Sequence, residues 1–261
     1  MKSFNYHSAK DSKEASKLSS SSSAYLAGGM TTIPSMKLGL ASYKDIINIK
    51  GIKKLSGIKV SGKSVIIGAT TKHAEVANSK DIKKAISSLA ALAEGIGDPQ
   101  VRNRGTIGGS IANNDPSADY PSACIALDAI IHTNHRKIEA SKFFKGMFET
   151  ALKKGELIES IEFKIPEKSS YQKHPNPASR YAIVGVYVAK HKNSTRVAVT
   201  GAKPCVYNDN DLSKALDSSF SVNSISGMEL KSSDMNSDIH ASAEYRANLV
   251  VIQAKKAVEA C

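Results

Sequence analysis

Two short glycine pairs, Ala27-Gly28-Gly29-Met30-Thr31 and Thr106-Ile107-Gly108-Gly109-Ser110, are the residues most suited to chemistry in this chain. Each follows a segment that reads as a short strand or turn, and each ends in a hydroxyl residue. Glycine lets backbone approach a ligand closely, because no Cβ blocks the way and positive φ is tolerated. Successive N–H groups in such a loop form a concavity that suits phosphate, and two loops far apart in sequence could clamp a pyrophosphate from both sides. Gly-Gly is also an ordinary hairpin turn, and for the first pair taken alone the turn is the better reading.

The surroundings of the second pair are more specific. Ile96-Gly97-Asp98-Pro99-Gln100-Val101-Arg102-Asn103-Arg104-Gly105 runs into it, and Asn113-Asn114-Asp115-Pro116-Ser117-Ala118-Asp119-Tyr120-Pro121 follows. With Ile67-Gly68-Ala69-Thr70-Thr71, Gly155-Glu156-Leu157-Ile158 and Glu244-Tyr245-Arg246, nearly the whole chain resembles the FAD-binding medium subunit of the molybdenum hydroxylases, the carbon monoxide dehydrogenase and xanthine dehydrogenase type. The resemblance implies an α+β protein: a PCMH-type FAD-binding fold of two small α/β subdomains over residues 1–168. A carbon monoxide dehydrogenase flavoprotein C-terminal-like domain, with antiparallel sheet and helices, then covers 169–261. It also implies an oxidoreductase component of a heterotrimer. A large molybdenum-cofactor subunit oxidises substrate, a small subunit relays electrons through two-iron two-sulfur clusters, and FAD on this chain hands them to an external acceptor. The implied assembly is a dimer of heterotrimers.

The same resemblance assigns FAD contacts to Ala27, Gly28, Gly29, Met30 and Thr31, to Thr106, Ile107, Gly108, Gly109 and Ser110, and to Asp119, Ile158, Lys173 and Tyr181. Asp119 matches an acidic contact to the ribityl or ribose region; as a bare residue it reads as an N-cap of the following helix. Thr106 and Ser110 would supply hydroxyls beside the phosphates, or stabilise a turn. Ile158 matches a backbone contact near the flavin but is by default a core residue. Lys173 matches a lysine that approaches the flavin, where a cation would stabilise negative charge; without the resemblance it is a surface lysine. Tyr181 matches a tyrosine over the isoalloxazine ring in the carbon monoxide dehydrogenase type, and is otherwise a half-buried strand residue. His73, after Thr70-Thr71, has no partner set nearby in sequence and reads as a helix-start or surface histidine.

Elements to hold these residues alternate along the chain. Ser19 to Ser23 read as a polar loop before a strand at Ala24-Tyr25-Leu26, and Val65-Ile66-Ile67 as a strand ending at Gly68. Ile82, Ala85, Ile86, Leu89, Ala90, Ala93 and Ile96 recur at helical spacing, with Asp81 as N-cap. Residues 118–129 read as a buried helix, and 157–165 as a strand with Ile161, Phe163 and Ile165 inward. Residues 181–190 and 195–200 read as a hairpin turning at Lys192-Asn193, and a last helix presents Tyr245, Leu249 and Ile252 on one face. The polar segment Pro166 to Pro177, with its prolines, is the expected boundary between domains.

Composition excludes several functions. The chain has 261 residues and a net charge of +12, but its lysines fall in small pairs such as Lys53-Lys54 and Lys153-Lys154 rather than in a basic stripe. With aromatics at 6% and no tryptophan, no stacking platform for nucleic acid is evident, and the charge reads as solvated surface. No apolar run approaches the roughly 20 residues of a membrane span, and the N-terminus lacks the apolar segment of a signal peptide, which points to the cytoplasm. Cys124, Cys205 and Cys261 are scattered and give neither a disulfide framework nor metal spacing. Rossmann, Walker and nucleophile-elbow motifs are absent. A self-sufficient FAD reductase of the same superfamily, and a nucleotide-binding assembly module without catalysis, are the alternatives. Carbon monoxide, aldehydes and N-heterocycles all stand as substrates of the complex, with Tyr181 pointing to the first.

Overall fold

The alternating apolar residues around Phe163 place strand Ile158–Lys164 at the centre of a five-stranded antiparallel sheet. Its neighbours are Ser64–Gly68 on one side, followed by Ile58–Ser61, and Ile130–Thr133 on the other, followed by Lys137–Glu139. Ile161 and Phe163 are fully buried against Val65, Ile67 and Ile131 and the helices that cover this face. A separate three-stranded parallel sheet, with Asp45–Asn48 between Asn5–Ser8 and Ser23–Leu26, packs its own small core around Ile47, Ile49 and Leu157. The computed structural model describes residues 1–261. No helix in it is long and apolar enough to cross a membrane.

The C-terminal sheet is four-stranded and antiparallel, in the order Lys168–Pro175, Ala182–His191, Ser194–Thr200, Tyr207–Asn208. Strand Ala182–His191 is buried on both faces. Val184, Val186 and Val188 face helices Asn210–Ser218 and Ala243–Glu259, while Tyr187 and Ala189 join the core beneath the five-stranded sheet. The period of two thus makes one strand the shared wall of two cores.

Several elements differ from expectation for identifiable reasons. The polar segment 166–177, expected as a boundary, contains strand Lys168–Pro175, the first of the C-terminal sheet. Its prolines bound the strand, with Pro175 at a register shift, so they remove no ladder hydrogen bond from its centre. The helix expected from Asp81 is two helices, Lys80–Ala85 capped by Ser79 and Ser87–Glu94, joined by an extended Ile86 at φ −146°. That break lets Ile82, Ile86 and Leu89 all bury in one core. The helix expected over 118–129 is Tyr120–Ala126, because Asp128 takes a left-handed φ of 49° and turns the chain into the next strand. The closing helix buries Arg246, Val250, Ala254 and Ala257 rather than Tyr245, which is exposed, and Ile252, which is half-buried.

Arg246 explains that rotation. Its guanidinium donates to the carbonyls of Ile183 (2.6 Å) and Gly201 (3.0 Å) and to the Asp238 carboxylate (2.7 Å). The Glu244-Tyr245-Arg246 motif therefore ties the last helix to the ends of two strands. Replacing Arg246 by Met should remove the guanidinium donor from the Ile183 carbonyl and the Asp238 carboxylate, while Gly201 keeps its bond from Asn236 Nδ2, and cost about 1–3 kcal/mol. Urea unfolding should show a lower midpoint at unchanged slope; an unchanged midpoint would contradict this role.

Candidate cofactor-binding site

Chain segments remote in sequence close around one cavity of about 510 Å³. It is lined by Ala27, Gly28, Gly29, Met30 and Thr31, by Thr106, Gly108, Gly109 and Ser110, and by Asp119, Ile158 and Tyr181. Of the residues singled out in the sequence, Ile107 and Lys173 are not in the lining. Ile107 is fully buried in the main core. Its side chain anchors the helix whose next residues face the cavity.

The two glycine segments do different work. The second is not a loop: Thr106 is the N-cap of helix Ile107–Asn113, its hydroxyl accepting from the Gly109 amide at 3.2 Å. The amides of Ile107 and Gly108 donate to the carbonyls of Thr71 (3.1 Å) and Ala69 (2.9 Å). The start of that helix is consequently satisfied within the protein. In the first segment, by contrast, the consecutive amides of Gly28, Gly29, Met30, Thr31 and Thr32 donate to no backbone or side-chain acceptor, and all of these residues line the cavity. Such a run of free donors has the chemistry to receive an anion, and the turn reading of the first pair does not account for it.

Close approach also has a different cause at each glycine. A methyl group on Gly28 would stand 2.2 Å from the Arg104 carbonyl oxygen, and one on Gly108 would stand 2.5 Å from the Ala69 Cβ. Both glycines are required by backbone packing inside the protein. Gly29 needs its hydrogen side chain for a φ of +76°. Only Gly109 is exposed to the cavity, with a methyl there meeting nothing but the Thr106 hydroxyl, at 2.9 Å.

Asp119 is buried beside the cavity and does not cap its helix. Its Oδ1 instead accepts from the Tyr171 hydroxyl and lies 2.9 Å from Lys173 Nζ. Tyr171 and Lys173 reach the same carboxylate because they stand two apart on one strand. Burial pushes the Asp119 carboxyl upward, opposed by the Lys173 ammonium and the Tyr171 hydroxyl. Lys173 also donates to the carbonyls of Gly95 and Arg180, so it is a buried clip behind the cavity wall. The reading of Lys173 as a surface residue is overturned by this burial.

Tyr181 ends the loop between strands Lys168–Pro175 and Ala182–His191 and is 47% exposed. Asn176 folds that loop, its Oδ1 accepting from the amides of Ala178 and Ser179. Arg180 takes a left-handed φ of 62° and donates to the Gly97 carbonyl at 3.1 Å, pinning the loop across the cavity. Burial, then the nearby Asp115 and Asp119 charges, raise the Tyr181 hydroxyl, which stays protonated at neutral pH.

Gly97 and Gly105, in the segment that runs into the second glycine pair, also line the cavity, and so does His73. The structure makes it the first residue of helix His73–Asn78, yet 5% exposed and part of the cavity wall. Glu156 is buried, receiving Arg136 (2.9 and 3.0 Å), the Thr133 hydroxyl (2.8 Å) and the Lys153 amide (2.8 Å). Against the effect of burial, these donors hold its carboxyl down at about 2.

The family model described as the FAD binding domain in molybdopterin dehydrogenase matches residues 2–167. This chain belongs to that family. It is 30% identical to the carbon monoxide dehydrogenase medium chain of Hydrogenophaga pseudoflava over 278 residues, 98% of this chain and 96% of that one. It is likewise 30% identical to the nicotine 6-hydroxylase medium subunit of Paenarthrobacter nicotinovorans, over 87% of this chain and 86% of the relative. Reconstituted carbon monoxide dehydrogenase from Oligotropha carboxidovorans includes a chain that superposes with a TM-score of 0.90 at 27% identity, covering 99% of this chain and 97% of its own. The chain is an FAD-binding medium subunit of a molybdenum hydroxylase, a component of an oxidoreductase. The cavity fits that cofactor: its size lies in the small-molecule range of about 300–1,000 Å³, and free amides of the kind a pyrophosphate needs line it.

Two predictions follow from the geometry. Gly108→Val should destabilise or misfold the chain, whereas Gly109→Val should leave it folded and reduce FAD occupancy sharply; circular dichroism with flavin quantitation separates them, and full occupancy in Gly109→Val would make that glycine irrelevant to the ligand. Because Glu156 is held at about 2 against an ordinary 4.5, its ionised form stabilises the fold above pH 4.5. The stability gap between the natural chain and Glu156→Gln should therefore be full above that pH and shrink as pH falls toward 2. A gap independent of pH in urea titrations would refute the ion-pair account.

Proposed function

We propose that this chain is the FAD-binding electron-transfer subunit of a cytoplasmic heterotrimeric molybdenum hydroxylase, with its flavin-binding domain at 1–168 and a C-terminal domain at 169–261. The observation that carries the reading is the run of free amides from Gly28 to Thr32 facing a cavity that Gly109 leaves open from the opposite side. Bound FAD supplies the redox chemistry. The amides and Thr31 hold the pyrophosphate, and Thr106 and Gly109 shape the facing wall. Asp119, oriented by Tyr171 and Lys173, accepts from hydroxyls of the ribityl chain. Ile158 closes the apolar floor, and the Tyr181 ring covers the isoalloxazine and controls access to it.

The words medium chain and medium subunit in the relatives' names support partner subunits; the partners in this reading are a large subunit that carries the molybdenum cofactor and oxidises substrate, and a small one with two-iron two-sulfur clusters. These assemble with this chain as a dimer of heterotrimers. The substrate class spans carbon monoxide, aldehydes and N-heterocycles, with Tyr181 favouring the carbon monoxide type. No histidine or cysteine lies in a flavin-attachment motif, so the cofactor is held without a covalent bond. Acid or heat treatment of the purified yellow chain should release intact FAD, identified by chromatography. Release of FMN alone, or flavin retained on the denatured chain, would overturn the assignment.

A further inference from the structure

We infer that His73 donates a hydrogen bond from its Nε2–H to the pyrophosphate of the bound dinucleotide, completing the donor set begun by the Gly28–Thr32 amides. The inference rests on the FAD reading above and names a further ligand-binding residue within it.

Three observations place the donor. His73 is 5% exposed, lines the cavity, and has no hydrogen-bond partner for either ring nitrogen within the protein; Nδ1 is the nitrogen shut away completely. Nε2 is therefore the one that reaches the cavity. Second, it stands directly over Gly105: a methyl on Gly105 would come within 2.5 Å of Nε2. Gly28 packs against that same residue: a methyl on Gly28 would be 2.9 Å from the Gly105 Cα. The imidazole and the glycine segment that carries the free amides thus both lie against Gly105. Third, Tyr120 fixes the ring by a tilted aromatic contact at 5.4 Å between centroids.

The protonation state follows from the surroundings. Burial, aided by the positive charge of Arg102, lowers the His73 imidazole to about 4, so at neutral pH it carries one proton. On Nδ1 that proton would be a buried N–H without acceptor, the costlier kind of orphan; on Nε2 it leaves only an unused lone pair behind. The neutral ring consequently presents N–H to the cavity. An N–H aimed into a cavity beside a row of amide donors recognises an anionic oxygen, and the dinucleotide offers that oxygen at its pyrophosphate.

The test is FAD and ADP binding by the full chain after removal of flavin, compared with His73→Gln and His73→Leu. Glutamine places an N–H near the Nε2 position; leucine fills the space without a donor. His73→Leu should weaken both FAD and ADP by about tenfold or more, as a lost bond to a charged acceptor requires. His73→Gln should recover most of that affinity, with thermal melting of both unliganded variants close to the natural chain. Unchanged binding in His73→Leu would overturn the proposal, as would equal losses in the two variants, which mean packing alone. Loss for FAD with ADP unaffected would overturn it too, by moving the contact to the flavin half. Absence of FAD binding by the natural chain would instead defeat the cofactor reading itself.

Discussion

The Lys173 side chain is 10% exposed, and its ammonium carries three protons that need acceptors. Asp119 Oδ1 at 2.9 Å, the Gly95 carbonyl at 2.9 Å and the Arg180 carbonyl at 3.0 Å meet them. Those partners come from three directions: the cavity wall, the end of helix Ser87–Glu94, and the loop that presents Tyr181. A buried cation must be matched closely, since removing one partner of such a pair typically costs about 3–5 kcal/mol. The position of the C-terminal sheet against the cavity is fixed by that requirement. Tyr171 reinforces it through the same carboxylate oxygen.

The rest of the cavity is built on close backbone approach. Gly28 lies on the Arg104 carbonyl and Gly108 on Ala69, so the segments that form the two walls touch one another without intervening side chains. Carbonyls of Ala69 and Thr71 take up the first amides of helix Ile107–Asn113. This leaves the amides of the Gly28 segment as the donors available to a ligand. Gly155, whose carbonyl accepts from Ser16 and Tyr25, brings the small parallel sheet onto the strand that floors the cavity. Arg102 and Arg180 both donate to the Gly97 carbonyl, which closes the opposite rim.

Periodicity and capping chemistry fixed much of this protein from its sequence. Alternation at Ile161 and Phe163 and the Lys192-Asn193 hairpin turn are local, and local physics decides them. The glycine motifs and the block around them named the family and twelve of the thirty residues that line the cavity. Tertiary contacts decided what the motifs do. Gly28 and Gly108 are glycine because distant backbone lies against them, and nothing in their own neighbourhood states that. Asp119 stands at a cap position, yet its side chain is a buried acceptor, because Tyr171 and Lys173 reach it from the C-terminal sheet. His73 looked peripheral because its neighbours, Gly105 and Tyr120, are more than thirty residues away. Local sequence sets backbone conformation; burial and the pairing of buried charges are settled only when remote segments meet, and at this site they determine which donors remain for the ligand.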